Sequence, residues 1–144
     1  MDALWCGALV AQNTPAPLNE VVYMTGEQTA AAFAKTTVLS RDGFHIVAGG
    51  RRDSGSDAER HEKVYDLVFV TDGEATYVTG GKLVNSKETG PGEMFGGTIE
   101  GGVSRQLKKG DLIIVPPGIP HWWKDTKGVS YMIVKFNRPL NVVD

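Results

Sequence analysis

Gly110-Asp111-Leu112-Ile113-Ile114-Val115-Pro116-Pro117-Gly118-Ile119-Pro120-His121 is the stretch whose reading decides the fold. Its Leu-Ile-Ile-Val run predicts a buried strand. Pro116 and Pro117 cannot extend the ladder of that strand, and Gly118 permits the tight turn that sends the chain back. The corner therefore delivers His121 to the start of the next strand, where its imidazole is a candidate metal ligand.

Outward from this corner, the chain from Thr37 onward consists of short β-branched or aromatic runs broken by Gly, Asp and Asn. They predict strands at about 37–40, 44–49, 58–61, 64–71, 74–79, 82–86, 103–107, 111–115, 121–124 and 129–136, the pattern of an all-β sandwich or barrel. One helix is expected ahead of them. Thr25-Gly26-Glu27-Gln28 fits a capping box, with Thr25 as N-cap, and Ala30 to Lys35 continue it. Asn85 to Gly102 breaks the rhythm, with six of the eighteen glycines and little strand pattern. It reads as a long loop, either a solvated insertion or a lid in which Met94 and Phe95 cap a cavity.

The spacing G-x5-P-x-G-x2-H of the quoted stretch is the second sequence motif of the cupins, complete to the histidine. Its usual closing Asn is replaced by Asp125. Upstream, the first cupin motif is present in degenerate form. His61 precedes Asp66 by five positions, Asp66 is followed after six residues by Gly73, and Glu59 stands where the motif's first His is expected. The chain thus resembles a single-domain cupin over roughly 38–136. The resemblance implies a double-stranded β-helix or jelly-roll barrel with one short N-terminal helix, and a metal held by His61, Asp66, His121 and Glu59. Two imidazoles with one or two carboxylates make a mixed, fairly hard donor set, suited to Mn, Fe, Zn, Ni or Co. On an extended strand Glu59 and His61 share a face, so both can point inward. The alternative for Glu59 is a solvated edge position in the charged run Asp57-Ala58-Glu59-Arg60, and an unligated Asp66 or Glu59 can serve as a catalytic base.

For substrate contacts, alternation along the strand after His121 sends one of Trp122 and Trp123 inward, and Trp123 is assigned there. Tyr77 and Tyr131 offer hydrogen-bond donors on rigid apolar bodies. Arg52, with Arg51 beside it, can hold a carboxylate, or the two form an exposed strand-end pair. His45 has no motif around it and reads as a strand residue. Two classes of function follow. One is a small metal-dependent enzyme acting on a small organic molecule inside the barrel, by oxygenase, isomerase or lyase chemistry. The other is a non-catalytic small-molecule-binding or sensor domain with a weakened metal site.

Composition bounds the rest. With 144 residues, 41% of them hydrophobic and 22% charged, the chain suits one globular domain, taken here as 21–144 behind an arm of 1–20. A net charge of −2 gives no drive toward nucleic acid. No phosphate loop, dinucleotide fingerprint or nucleophile elbow occurs, and the single Cys6 excludes an internal disulfide. Residues 1–11 read either as the end of an export signal, favouring a periplasmic or secreted protein, or as an apolar arm of a cytoplasmic one; they are too short to span a bilayer. Finally, in 64–70 both strand faces are apolar apart from Asp66, so something must cover the outer one. A homodimer is expected.

Overall fold

The computed structural model describes residues 21–138. The expected arm or export signal over 1–20 lies outside them. A short helix, α1 (Gly26–Phe33), opens the described chain, and both halves of its capping box form: Thr25 Oγ1 accepts from the Gln28 amide and Gln28 Oε1 accepts from the Thr25 amide. Everything after it is antiparallel. One sheet has five strands in the order β1 (Thr37–Arg41), β2 (His45–Arg52), β13 (Val129–Asn137), β4 (Val64–Asp72), β11 (Leu112–Val115). The facing sheet has six, ordered β10 (Val103–Lys108), β5 (Glu74–Thr79), β12 (His121–Thr126), β3 (Glu59–His61), β8 (Glu93–Phe95), β7 (Lys87–Gly90). The ribbon β6 (Lys82–Val84) and β9 (Thr98–Glu100) completes the barrel. This is the all-β jelly roll that the sequence predicts.

Two expectations need correction. The glycine-rich stretch 85–102 is not a loop, because it supplies β7, β8 and β9, and β8 pairs with β3. Its glycines turn three very short strands, too short to show a two-residue alternation. β11 is also not buried on both sides. It lies at a sheet edge, with Val115 buried and Leu112 and Ile114 exposed.

Between the sheets sits a core that includes Ile46, Val68, Val70, Trp123, Tyr131 and Ile133. Alternation sorts the strands as the period of two requires: Asp66, Val68 and Val70 point inward from β4, while Tyr65, Leu67 and Phe69 point outward. Two adjacent glycines in β2 show how closely the layers approach. A Cβ on Gly49 would stand 2.2 Å from the Phe33 ring of α1 outside, and one on Gly50 would stand 2.5 Å from the Tyr131 ring inside. The bare backbone here lets a helix cap one face of the strand and a buried tyrosine lie on the other.

Candidate metal centre

Each sheet brings part of one polar cluster into the interior. From the six-stranded sheet come Glu59 and His61 of β3 and His121 of β12, with Glu59 and His121 directly opposite one another. From the five-stranded sheet comes Asp66, whose cross-strand partner is Lys135 of β13. The corner behaves as expected: Gly118 adopts φ +82°, and its amide donates to His61 O at 2.7 Å, tying the two motifs together beside the site.

Donor atoms of Glu59, His61, Asp66 and His121 all lie within 4.8 Å of one another. His121 Nε2 is 3.2 Å from Asp66 Oδ2 and 3.3 Å from Glu59 Oε1, while His61 Nε2 is 3.6 Å from Glu59 Oε2 and 3.8 Å from Asp66 Oδ2. Ligands each about 2.1 Å from a shared cation stand roughly 3.0–3.4 Å apart at octahedral to tetrahedral angles, so the set is close to what a metal requires. Glu59 does not turn out to solvent; it is 9% exposed and faces the centre.

The histidines are oriented for ligation. His121 Nδ1 donates to Ile119 O at 3.0 Å, which leaves Nε2 aimed at the carboxylates. His121 Nε2 and Asp66 Oδ1 are buried and make no hydrogen bond. The short distances from Nε2 to the acidic oxygens are thus contacts of converging groups whose angles do not suit hydrogen bonding. Buried polar atoms without hydrogen bonds are rare and costly, and His121 Nε2, 3.2 Å from Asp66 Oδ2 and 3.3 Å from Glu59 Oε1, stands where a cation would satisfy it. The residues present fit a divalent metal on this ground.

Two groups at the centre escaped the sequence reading. Glu93 of β8 stands opposite His61, and its Oε2 accepts a very short hydrogen bond from Nδ1. Lys135 Nζ donates to Asp66 Oδ2 at 2.8 Å and to His61 Nε2 at 2.9 Å, fully inside the barrel. Lys135 shares parity with Tyr131 and Ile133, two inward core positions, and that was the available signal. Glu93 had none, since nothing in a glycine-rich segment announces a strand paired with β3.

Electrostatics follow from burial opposed by pairing. Burial pushes the Glu59 and Asp66 carboxyls up, but the Lys135 ammonium and His121 outweigh it, holding Glu59 down to about 2 and Asp66 well below its ordinary range. Burial pulls His121 down, yet the same two carboxylates raise it to about 10. Lys135 is raised in the same way and stays charged.

The expected substrate residues form one continuous cluster beside the centre. The Tyr77 ring lies 6.3 Å from the His121 ring and 4.7 Å, edge-on, from Trp123, which stacks 4.7 Å from Tyr131. Arg52 Nε donates to the Tyr131 hydroxyl at 3.0 Å, with its guanidinium 5.9 Å from the Trp123 ring centre. Burial first, then the Asp66 and Glu59 charges, raise the Tyr77 phenol well above its ordinary value, so it remains a neutral donor. The residues at the margin divide as alternation requires. Trp122 packs on the other side, donating to Ser56 O, and Arg51 pairs with Asp53. His45 is structural, its ring nitrogens bonded to Asp42 and Ser40. Among the described residues no helix is long and apolar enough to cross a membrane.

Comparison with known proteins bears on the family and the fold. A family model described as cupin matches residues 60–143, which is more than half of the chain. No curated protein matches the sequence significantly. Among solved structures, a protein of Bacillus halodurans superposes with a TM-score of 0.60 at 12% identity, covering 85% of this chain and 86% of its own. Hydroquinone 1,2-dioxygenase of Sphingomonas, with 4-hydroxybenzoate bound, gives 0.54 at 12% identity over 93% and 89%. The hydroquinone 1,2-dioxygenase PnpCD, in complex with Cd2+ and 4-hydroxybenzonitrile, gives 0.54 at 20% identity over 92% and 93%. At these identities the likeness is one of fold. With both motif segments folded against one another and the family match running across them, the chain belongs to the cupin family.

Proposed function

We propose that this cupin is a small metal-dependent enzyme acting on a small organic molecule inside the barrel. The observation that carries the reading is the convergence of His61, His121, Asp66 and Glu59 on one buried centre where His121 Nε2 makes no hydrogen bond. The chemistry a metal of the Mn, Fe, Zn, Ni or Co class supplies is polarisation of a carbonyl or activation of oxygen or water. The chain's own groups do the remainder. Glu93 and the Ile119 carbonyl hold the two imidazoles in the tautomer that offers Nε2. Trp123, Tyr77 and Tyr131 provide an apolar aromatic cluster with phenolic donors, and Arg52 adds a positive charge for an acidic or phenolic ligand. Where only one carboxylate ligates, Asp66 or Glu59 is placed to accept a proton from the substrate.

The second reading, a non-catalytic binding or sensor domain, is favoured by one observation: Lys135 already supplies a positive charge to the carboxylates. Metal analysis separates the two. Protein purified without chelator is expected to carry about one transition metal per chain, and His121→Ala to lose it while keeping its fold. Wild type without metal, whose melting temperature is unmoved by added Mn, Fe, Ni or Zn, would leave the binding domain.

A further inference from the structure

A carboxylate only accepts hydrogen bonds, so the contact of His61 Nδ1 with Glu93 Oε2 assigns the ring proton to Nδ1. The neutral imidazole then has one lone pair, at Nε2. That lone pair accepts from the Lys135 ammonium at 2.9 Å, and the same ammonium donates to Asp66 Oδ2 at 2.8 Å. Lys135 therefore engages two of the four donors of the centre through the atoms a metal would need. One lone pair cannot serve an ammonium and a metal together, and His61 has no second nitrogen to offer because Glu93 holds it.

We propose that Lys135 is a resident cation that competes with the metal, and that a metal gains His61 only as Nζ leaves Nε2. The inference rests on the metal-centre reading above. Its physical basis is threefold. Glu59, Asp66 and Glu93 are three buried carboxyl groups around this point, and Lys135 is the buried lysine among them. Isolated buried charge is strongly disfavoured, so the ammonium stabilises the cluster when no metal is present. The flexible four-carbon stem lets Nζ withdraw by rotamer change, without moving β13. The centre thus has two arrangements, ammonium in or metal in, and the strength of the first reduces apparent affinity in the second.

The test is a titration of chelator-stripped full-length protein with Zn2+ against a chromophoric competing chelator, comparing wild type with Lys135→Leu, whose side chain has no donor atom. The variant is expected to bind Zn2+ at least tenfold more tightly, and to gain more in melting temperature from Zn2+ than wild type does. Equal or weaker binding by the variant, with wild type binding normally, would overturn the competition and leave the metal centre intact. Absence of binding in both would overturn the metal centre itself. Should Lys135→Leu not fold, a crystal structure of Zn-loaded wild type decides: Nζ is expected beyond about 4 Å from His61 Nε2, outside hydrogen-bond reach. An Nζ still bonded to Nε2, with the metal held elsewhere, would refute the proposal.

Discussion

Glu59 shows what a single position decides. The charged Asp57–Arg60 run leaves a solvated edge open as the alternative to ligation, and Glu59 faces the centre opposite His121. The metal-free protein then carries opposed titrations whose signs can be worked out. Glu59 is held down to about 2 against an ordinary 4.5, so its contribution is present above about 4.5 and lost as pH falls toward 2. His121 is raised to about 10 against an ordinary 6.5, so its contribution is complete below about 6.5 and lost as pH rises through 10. Chelator-treated protein is expected to melt highest between about pH 4.5 and 6.5 and to lose stability on both sides. A melting temperature flat from pH 6 to 10 would show that His121 is not held by the two carboxylates. Added Ni2+ should restore the alkaline side, because ligation needs the neutral ring.

Among the elements, β2 shows how packing constrains a strand from both faces. Gly50 is opposite Tyr131 in the ladder and under its ring, so Gly50→Ala must push the tyrosine away from Trp123 and Arg52. The expected cost is about 1–3 kcal/mol, typical of overpacking, measured by urea denaturation. Gly43→Ala is the control, since a Cβ there meets nothing within 4 Å, and it should be neutral or slightly stabilising. Equal effects of the two would show that the Tyr131 layer tolerates displacement. β8 makes the complementary point. Three residues long, it exists because β3 offers it a ladder, and that ladder brings Glu93 to His61.

For the whole molecule the outer face of the five-stranded sheet matters most. α1 covers it over β2, but at the other end Leu112, Phe69 and Met132 align across β11, β4 and β13, followed by Ile114, Leu67 and Val134. Leu112 and Ile114 are 55% and 52% exposed, on an edge strand. A contiguous apolar face of this kind suits self-association about a two-fold axis, and the expected state in solution is a homodimer. Light scattering should give twice the 15.5 kDa of one chain, and Leu67→Lys should shift the protein to monomer or aggregate. A mass near that of one chain at micromolar concentration would instead assign the covering of this face to the same chain.

The sequence by itself determined an all-β sandwich or barrel, because its short β-branched and aromatic runs end at Gly, Asp or Pro, and the cupin motifs it carries chose the jelly roll. Motif spacing reports local turns, since Gly118 and the two prolines act over a few residues; that Glu59, His61, Asp66 and His121 should converge came from the cupin resemblance. Only the tertiary structure decided the rest. β7 to β9 are too short to carry a period, and their strand character comes from partners far along the chain. Glu93 reaches His61 from thirty-two residues away and Lys135 from seventy-four. Such contacts depend on cross-strand register, which the pairing of whole sheets sets and no local spacing encodes.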